Sequence, residues 1–253
     1  MGRFTSFDGT EIHYHTWGDI GRGIPVVLQH GFIADGRTNW EGNGIVRALT
    51  EAGHTVIAPD ARGHGQSGKP HDPAVYGESN MARDLQALFD HLQLSAVNLV
   101  GYSMGAIIAL LTAIADQRVR RLVVGGVGAG IIELGGVDTR AIPNDLLAEA
   151  LLAEDPGAIK HPGAAGFRLF ADAMNADRRA LAAQAQSVHA EPIPVDQIQV
   201  PALVLAGEQD PLAERPQVLA GALLLGELVV VPGDHMSALR QPAFVEALLR
   251  FLA

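Results

Sequence analysis

Residues 99–108 read LVGYSMGAII, and the fold turns on how they are read. An apolar run ends at Gly101, and a second begins after Gly105. Upstream lies AVNLV (96–100), short and strand-like; downstream lies AIIALLTAIA (106–115), with the length and composition of a helix. Between them GYSMG places one serine two positions from a glycine on either side. A turn this tight needs glycine at its flanks, because the missing Cβ atoms let neighbouring chain approach closely. A GxSxG turn between strand and helix strains the serine backbone and holds the hydroxyl clear of the sheet. The hydroxyl then stands at the carboxyl end of a strand, where α/β sheets bind ligands. It also stands at a helix N-terminus, whose free N–H groups favour developing negative charge. Ser103 is therefore a candidate nucleophile.

The surrounding pattern supports that placement. IPVVLQH (24–30), TVIAPD (55–60), AVNLVG (96–101), RRLVVGG (120–126), VPALVLAG (200–207) and GELVVVPG (226–233) are compact apolar runs of the kind found in strands covered on both faces. Two shorter alternating strands open the chain, separated by FDGT (7–10). Helical periodicity is clearest over 40–52, 79–93, 104–115, 212–222 and 241–252. Strands alternating with helices predict an α/β fold, a mostly parallel eight-stranded sheet with helices on both faces. Residues 130–190 break the rhythm. NDLLAEALLA, GAAGFRLFADAM and DRRALAAQAQSV read as helices separated by Gly and Pro, with no convincing strand. The expected organisation is a core of 1–129 and 191–253 with a helical cap insertion at 130–190. GAGIIELGG (128–136) lacks the spacing of a dinucleotide-binding turn and reads as a flexible lead-in to the insertion.

A serine alone is a weak nucleophile and needs a base that is itself oriented by an acid. For a strand–turn–helix serine the expected chain order is Ser, then Asp or Glu, then His. Asp210 follows the run ALVLAG, and His235 follows LVVVPG, so both sit just past strand ends at the sheet edge that carries Ser103. Glu208 and Asp234 are rival carboxylates. Glu208 precedes the point where the loop should turn inward, and Asp234 adjoins His235, where neighbouring side chains tend to point apart; Asp210 is preferred. His13 and His15 alternate on a strand but have no third ligand, so no metal site is expected.

HGFIADGRTNW (30–40), DARGHGQS (60–67), GYSMG (101–105), GEQDPL (207–212) and GDH (233–235) occur in one order along the chain. In these motifs the sequence resembles the α/β-hydrolase fold family over essentially its full length, and within it the serine hydrolases and esterases with a helical cap. The resemblance implies Ser103 as nucleophile, His235 as general base and Asp210 as orienting acid. It implies an oxyanion hole from the backbone N–H groups of Phe32 and Met104. It also implies that His30, Gly31 and the RGHG turn with His64 are scaffold. Haloalkane dehalogenases and epoxide hydrolases of this fold carry Asp at this strand–turn–helix elbow, so Ser103 points to acyl transfer. The implied function is hydrolysis of a small to medium, largely apolar carboxylic ester, with no metal and no organic cofactor. Ile33, Trp40, Tyr102, Phe167, Phe170, Met174 and Met236 are the candidate substrate-binding residues. Carbon–carbon bond hydrolysis, lactone hydrolysis and perhydrolysis by the same triad stay open, as does a small-molecule receptor without turnover.

Composition narrows the partners. The chain has 253 residues, 48% hydrophobic and 18% charged, enough to bury a sizeable core. Its net charge of −10 argues against nucleic acid, which needs clustered Lys and Arg. A small-molecule substrate is expected; the oligomeric state is left open. With no cysteine there is no disulfide, thiolate metal site or cysteine nucleophile, which fits a reducing cytoplasm. The opening MGRFTSFDGTEIHYHTW has no apolar h-region, and no run is long and charge-free enough for a bilayer, so neither a signal peptide nor a membrane partner is expected. MGRFTS matches a loose myristoylation pattern but reads as the start of a strand.

Overall fold

Alternation along the apolar runs builds the sheet. A computed structural model describes all residues, Met1–Ala253. Its strands are β1 (Gly2–Thr5), β2 (Glu11–Trp17), β3 (Val26–Gln29), β4 (Val56–Pro59), β5 (Val97–Tyr102), β6 (Val119–Gly125), β7 (Ala202–Gly207) and β8 (Gly226–Val231). They form one sheet in the order β1-β2-β4-β3-β5-β6-β7-β8. β2 is antiparallel to both neighbours and the remaining pairs are parallel, as the alternating strand–helix pattern predicts.

Successive side chains on a strand face opposite sides. Val27, Leu99, Leu122, Val124 and Val204 therefore enter one apolar cluster with helices α2 (Glu78–His91) and α3 (Met104–Ala115). Val26, Leu28, Val100, Val123, Leu203 and Leu205 enter a second, with α1 (Ile45–Glu51) and α9 (Pro242–Leu252). The helices thus cover both faces, and β3, β5 and β7 are buried along their whole length. No helix is long and apolar enough to cross a membrane.

Between β6 and β7 the chain forms α4 (Gly130–Leu134), α5 (Asn144–Leu152), α6 (Pro162–Ala173) and α7 (Arg178–Ala185). A third cluster, including Leu147, Leu151, Ala171 and Leu181, packs α5, α6 and α7 together and onto Ile33, after β3. α8 (Pro216–Ala222) follows β7. Two local expectations need correction. The helix read over 40–52 starts only at Ile45, because Gly44 adopts φ 76° and closes off a wide π turn at Arg37–Glu41. GAGIIELGG is not a flexible lead-in: Ile131 is fully buried in the main core, and Gly135 ends α4 at φ 79°.

The strand order reverses at β3, which pairs with β4 on one side and β5 on the other. Such a switch point leaves a crevice beyond the carboxyl ends of the strands. Gln29 is paired with Gly101, so the loop after β3 and the turn after β5 emerge side by side.

Candidate active site

Ser103 takes φ 56° and ψ −120°, a conformation L-residues avoid, and caps the start of α3. The flanking glycines make this turn possible. A Cβ on Gly101 would lie 2.0 Å from the Gly105 carbonyl oxygen, and one on Gly105 would lie 2.1 Å from that of Gln29. Strain of this kind persists only where the surroundings enforce it. Here the Ser103 N–H donates to the Gly125 carbonyl at 2.8 Å, tying the elbow to β6.

The structure brings Ser103, Asp210 and His235 together. His235 Nε2 is 3.0 Å from Ser103 Oγ, and His235 Nδ1 is 2.8 Å from Asp210 Oδ2 and 3.0 Å from Oδ1. The Asp210 carboxylate is fully buried and also accepts from the Leu212 N–H at 2.9 Å, which fixes its plane. An ionised carboxylate at Nδ1 places the ring proton there and leaves Nε2 as an acceptor facing the hydroxyl. The rivals look elsewhere. Asp234 Oδ1 accepts from the Met236 and Ser237 N–H groups and the Ser237 hydroxyl, and these bonds hold its carboxyl below the usual range. Glu208 is exposed.

Phe32 follows a pinned corner. His30 Nδ1 lies 2.8 Å from the Gly31 carbonyl, His30 Nε2 accepts from the Ala61 N–H, and the Gly31 N–H donates to Asn39 Oδ1. The Phe32 N–H has no acceptor within the protein, the Met104 N–H opens α3 and so has no partner in its helix, and both residues line the same cavity as Ser103. Two free N–H donors beside a serine hydroxyl are what an oxyanion requires.

Two cavities flank Ser103. The larger, about 300 Å³, is lined among others by Met104, Ile107, Val137, Leu147 and Phe167. The smaller, about 100 Å³, lies toward His235, Met236 and Phe170. Phe32, Ser103 and Phe167 border both. Tyr102, read from sequence as a pocket residue, lines the smaller one, but its hydroxyl also donates to the His235 carbonyl at 2.8 Å. Burial drives its pKa well up, so it stays a neutral donor.

Three expected pocket residues do not reach Ser103. Trp40 is completely buried between β3, α1 and α9, where its large ring fills core volume. Ile33 has φ 72°, which swings its side chain away from the elbow and into the cluster formed by α5, α6 and α7. Met174 packs against that cluster and, with Ile33, borders a different cavity near His64 and Asp60.

One lining residue had no signal in the sequence. Glu78, the first residue of α2, is 1% exposed and borders the larger cavity. Its Oε2 accepts from the His189 N–H at 2.6 Å and its Oε1 from Gln184 Nε2 at 3.1 Å. Burial pushes its carboxyl up to about 7, against the pull of those bonds. The raised value stabilises the fold most below the ordinary pKa near 4.5, and that contribution is lost as pH rises through 7. At 1.36 kcal/mol per unit, about 2–3 kcal/mol disappears between pH 5 and pH 8. Glu78→Gln is therefore expected to be more stable relative to wild type at pH 8 than at pH 5 by that amount in urea unfolding. An equal difference at both pH values would contradict the assignment. His64, fully buried, behaves oppositely: burial lowers its pKa to about 3, so its contribution is present above pH 6.5 and lost on acidification.

Comparison with known proteins agrees with this architecture. A family described as alpha/beta hydrolase fold matches residues 24–160. The 2-hydroxy-6-oxo-2,4-heptadienoate hydrolase of Pseudomonas putida is 38% identical over 140 residues, 54% of this chain and 49% of that protein. The chain thus spans about half or less of the length of the curated relatives it matches. A hydrolase from Pseudomonas aeruginosa PA01 superposes with a TM-score of 0.79 at 27% identity, covering 100% of this chain and 98% of that one. A thermophilic esterase from Thermogutta terrifontis does so with a TM-score of 0.79 at 26% identity, covering 99% and 97%.

Proposed function

The chain belongs to the α/β-hydrolase fold family, and from that premise we propose that it is a serine hydrolase cleaving small to medium, largely apolar carboxylic esters. The observation that carries this reading is the hydrogen-bonded chain from Asp210 through His235 to Ser103, next to two unpartnered N–H groups. His235 Nε2 takes the hydroxyl proton as Ser103 Oγ attacks the ester carbonyl. The Phe32 and Met104 N–H groups receive the developing oxyanion. Asp210 stabilises the imidazolium, which then protonates the departing alkoxide. Water, activated by His235, releases the acid from the acyl-enzyme. The smaller cavity, lined by His235, suits the alcohol, which must leave beside the imidazole that protonates it; the larger, lined by Met104 and without His235, is left for the acyl chain.

A serine at the elbow speaks against the alkyl-enzyme chemistry of epoxide or haloalkane hydrolysis. A second reading, carbon–carbon bond hydrolysis of a ring-fission product, is favoured by the similarity to the Pseudomonas putida hydrolase. Turnover of a panel of aryl esters and a ring-fission dienone, with phosphonate labelling, separates the two. The expected result is ester turnover, with the label on Ser103 alone. Labelling elsewhere with activity intact, or stoichiometric binding without turnover, would overturn the proposal.

Phe167 separates the two cavities, so Phe167→Ala is expected to join them. The ratio of kcat/KM for a bulky acyl ester to that for an acetate ester should rise roughly tenfold, the scale of one small change in an apolar pocket. A lower melting temperature with an unchanged ratio would assign Phe167 to packing alone.

A further inference from the structure

The larger cavity is mostly apolar, but its lining is not uniformly so. Glu78 lines it together with Ser103, and so do Gln184 and His189, the two residues that hydrogen-bond the Glu78 carboxyl. No Lys or Arg lines this cavity, and Glu78 has no ion-pair partner. The other lining carboxylate, Glu133, is already paired with Arg140 and Arg215 at the protein surface. Glu78 is thus a buried carboxyl with no counter-charge, on a residue that lines the same cavity as Ser103. A buried charge without a partner is costly, and a buried acceptor gains most from a donor brought to it in the absence of water. Each of its oxygens accepts one hydrogen bond from the protein, while a carboxylate offers about four acceptor positions. Those two bonds hold the group rigid and leave it acceptor capacity.

We propose that Glu78 is a specificity-determining residue in the wall of the acyl site, selecting acyl chains that end in a hydrogen-bond donor, an ammonium or a hydroxyl group. The proposal rests on the reading of Ser103 as the acyl acceptor. The apolar walls take the methylenes, and the carboxylate takes the donor at the tail. The competing role for Glu78 is a tie between α2 and the segment returning from the cap, through the same bonds to Gln184 and His189. A tie alone affects stability but not the choice of tail.

The test uses 4-nitrophenyl esters of straight-chain acids of three to eight carbons, each ending in methyl, hydroxyl or ammonium, assayed at pH 8. At one chain length the better of the donor-ended esters should exceed its methyl counterpart in kcat/KM by at least tenfold. In Glu78→Gln that ratio, taken within the variant, should fall below threefold. In Glu78→Asp, which draws the carboxylate back by one methylene, the preferred chain should lengthen by one carbon. Methyl preference at every length in the wild type, or an unchanged ratio in folded Glu78→Gln, overturns the proposal. If no ester turns over, the ester reading falls. The tail preference is then read by calorimetric binding of the matching N-methyl amides. Tenfold tighter binding of the ammonium form sustains it, and equal binding overturns it.

Discussion

Replacing Ser103 by alanine is expected to lower kcat for an aryl ester by about 10⁶-fold, the scale seen when a serine nucleophile is removed from an intact triad. The change takes away only Oγ. The elbow conformation at φ 56° is held by the backbone bond to Gly125 and by the close packing of Gly101 and Gly105, so the fold should survive. Residual turnover should come from water attacking a carbonyl still polarised by the Phe32 and Met104 N–H groups. Steady-state kinetics on 4-nitrophenyl butyrate, beside a melting curve, checks both points. Activity within tenfold of wild type would mean that no acyl-serine forms.

The second large effect is expected at Asp210. An asparagine there should lower kcat by about 10⁴-fold with little change in KM. Its amide can still accept from the Leu212 N–H, so the loop should keep its shape. Toward His235, however, an NH₂ group replaces a carboxylate oxygen now 2.8 Å from Nδ1. The favoured tautomer then carries its proton on Nε2, which can no longer accept from Ser103. Asp234→Asn should be mild by comparison, because that carboxylate serves the turn at Met236 and Ser237. If Asp234→Asn proves the crippling change, the acid has been misassigned.

Much of this protein was legible in its residues alone. The elbow was, because a strand-to-helix turn around GYSMG is a local event set by two glycines and the apolar runs beside them. The sheet was, because six compact apolar runs alternating with helical periodicity leave few ways to bury both faces. The order Ser103, Asp210, His235 was also readable, since each follows a strand end.

Tertiary structure decided what depends on where side chains point. The rival carboxylates Glu208 and Asp234 lie within a few residues of Asp210 and His235, and only the packed loops turn Asp210 alone to the imidazole. Trp40, Ile33 and Met174 are apolar residues near the motifs. Core volume, a left-handed backbone at Ile33 and the cluster of α5, α6 and α7 draw all three away from Ser103. Glu78 shows the reverse. In sequence it is a charged residue opening a helix, a position normally exposed. The segment between β6 and β7 packs against it, and the long-range contacts to Gln184 and His189, more than a hundred residues away, place a helix terminus in the lining of the cavity.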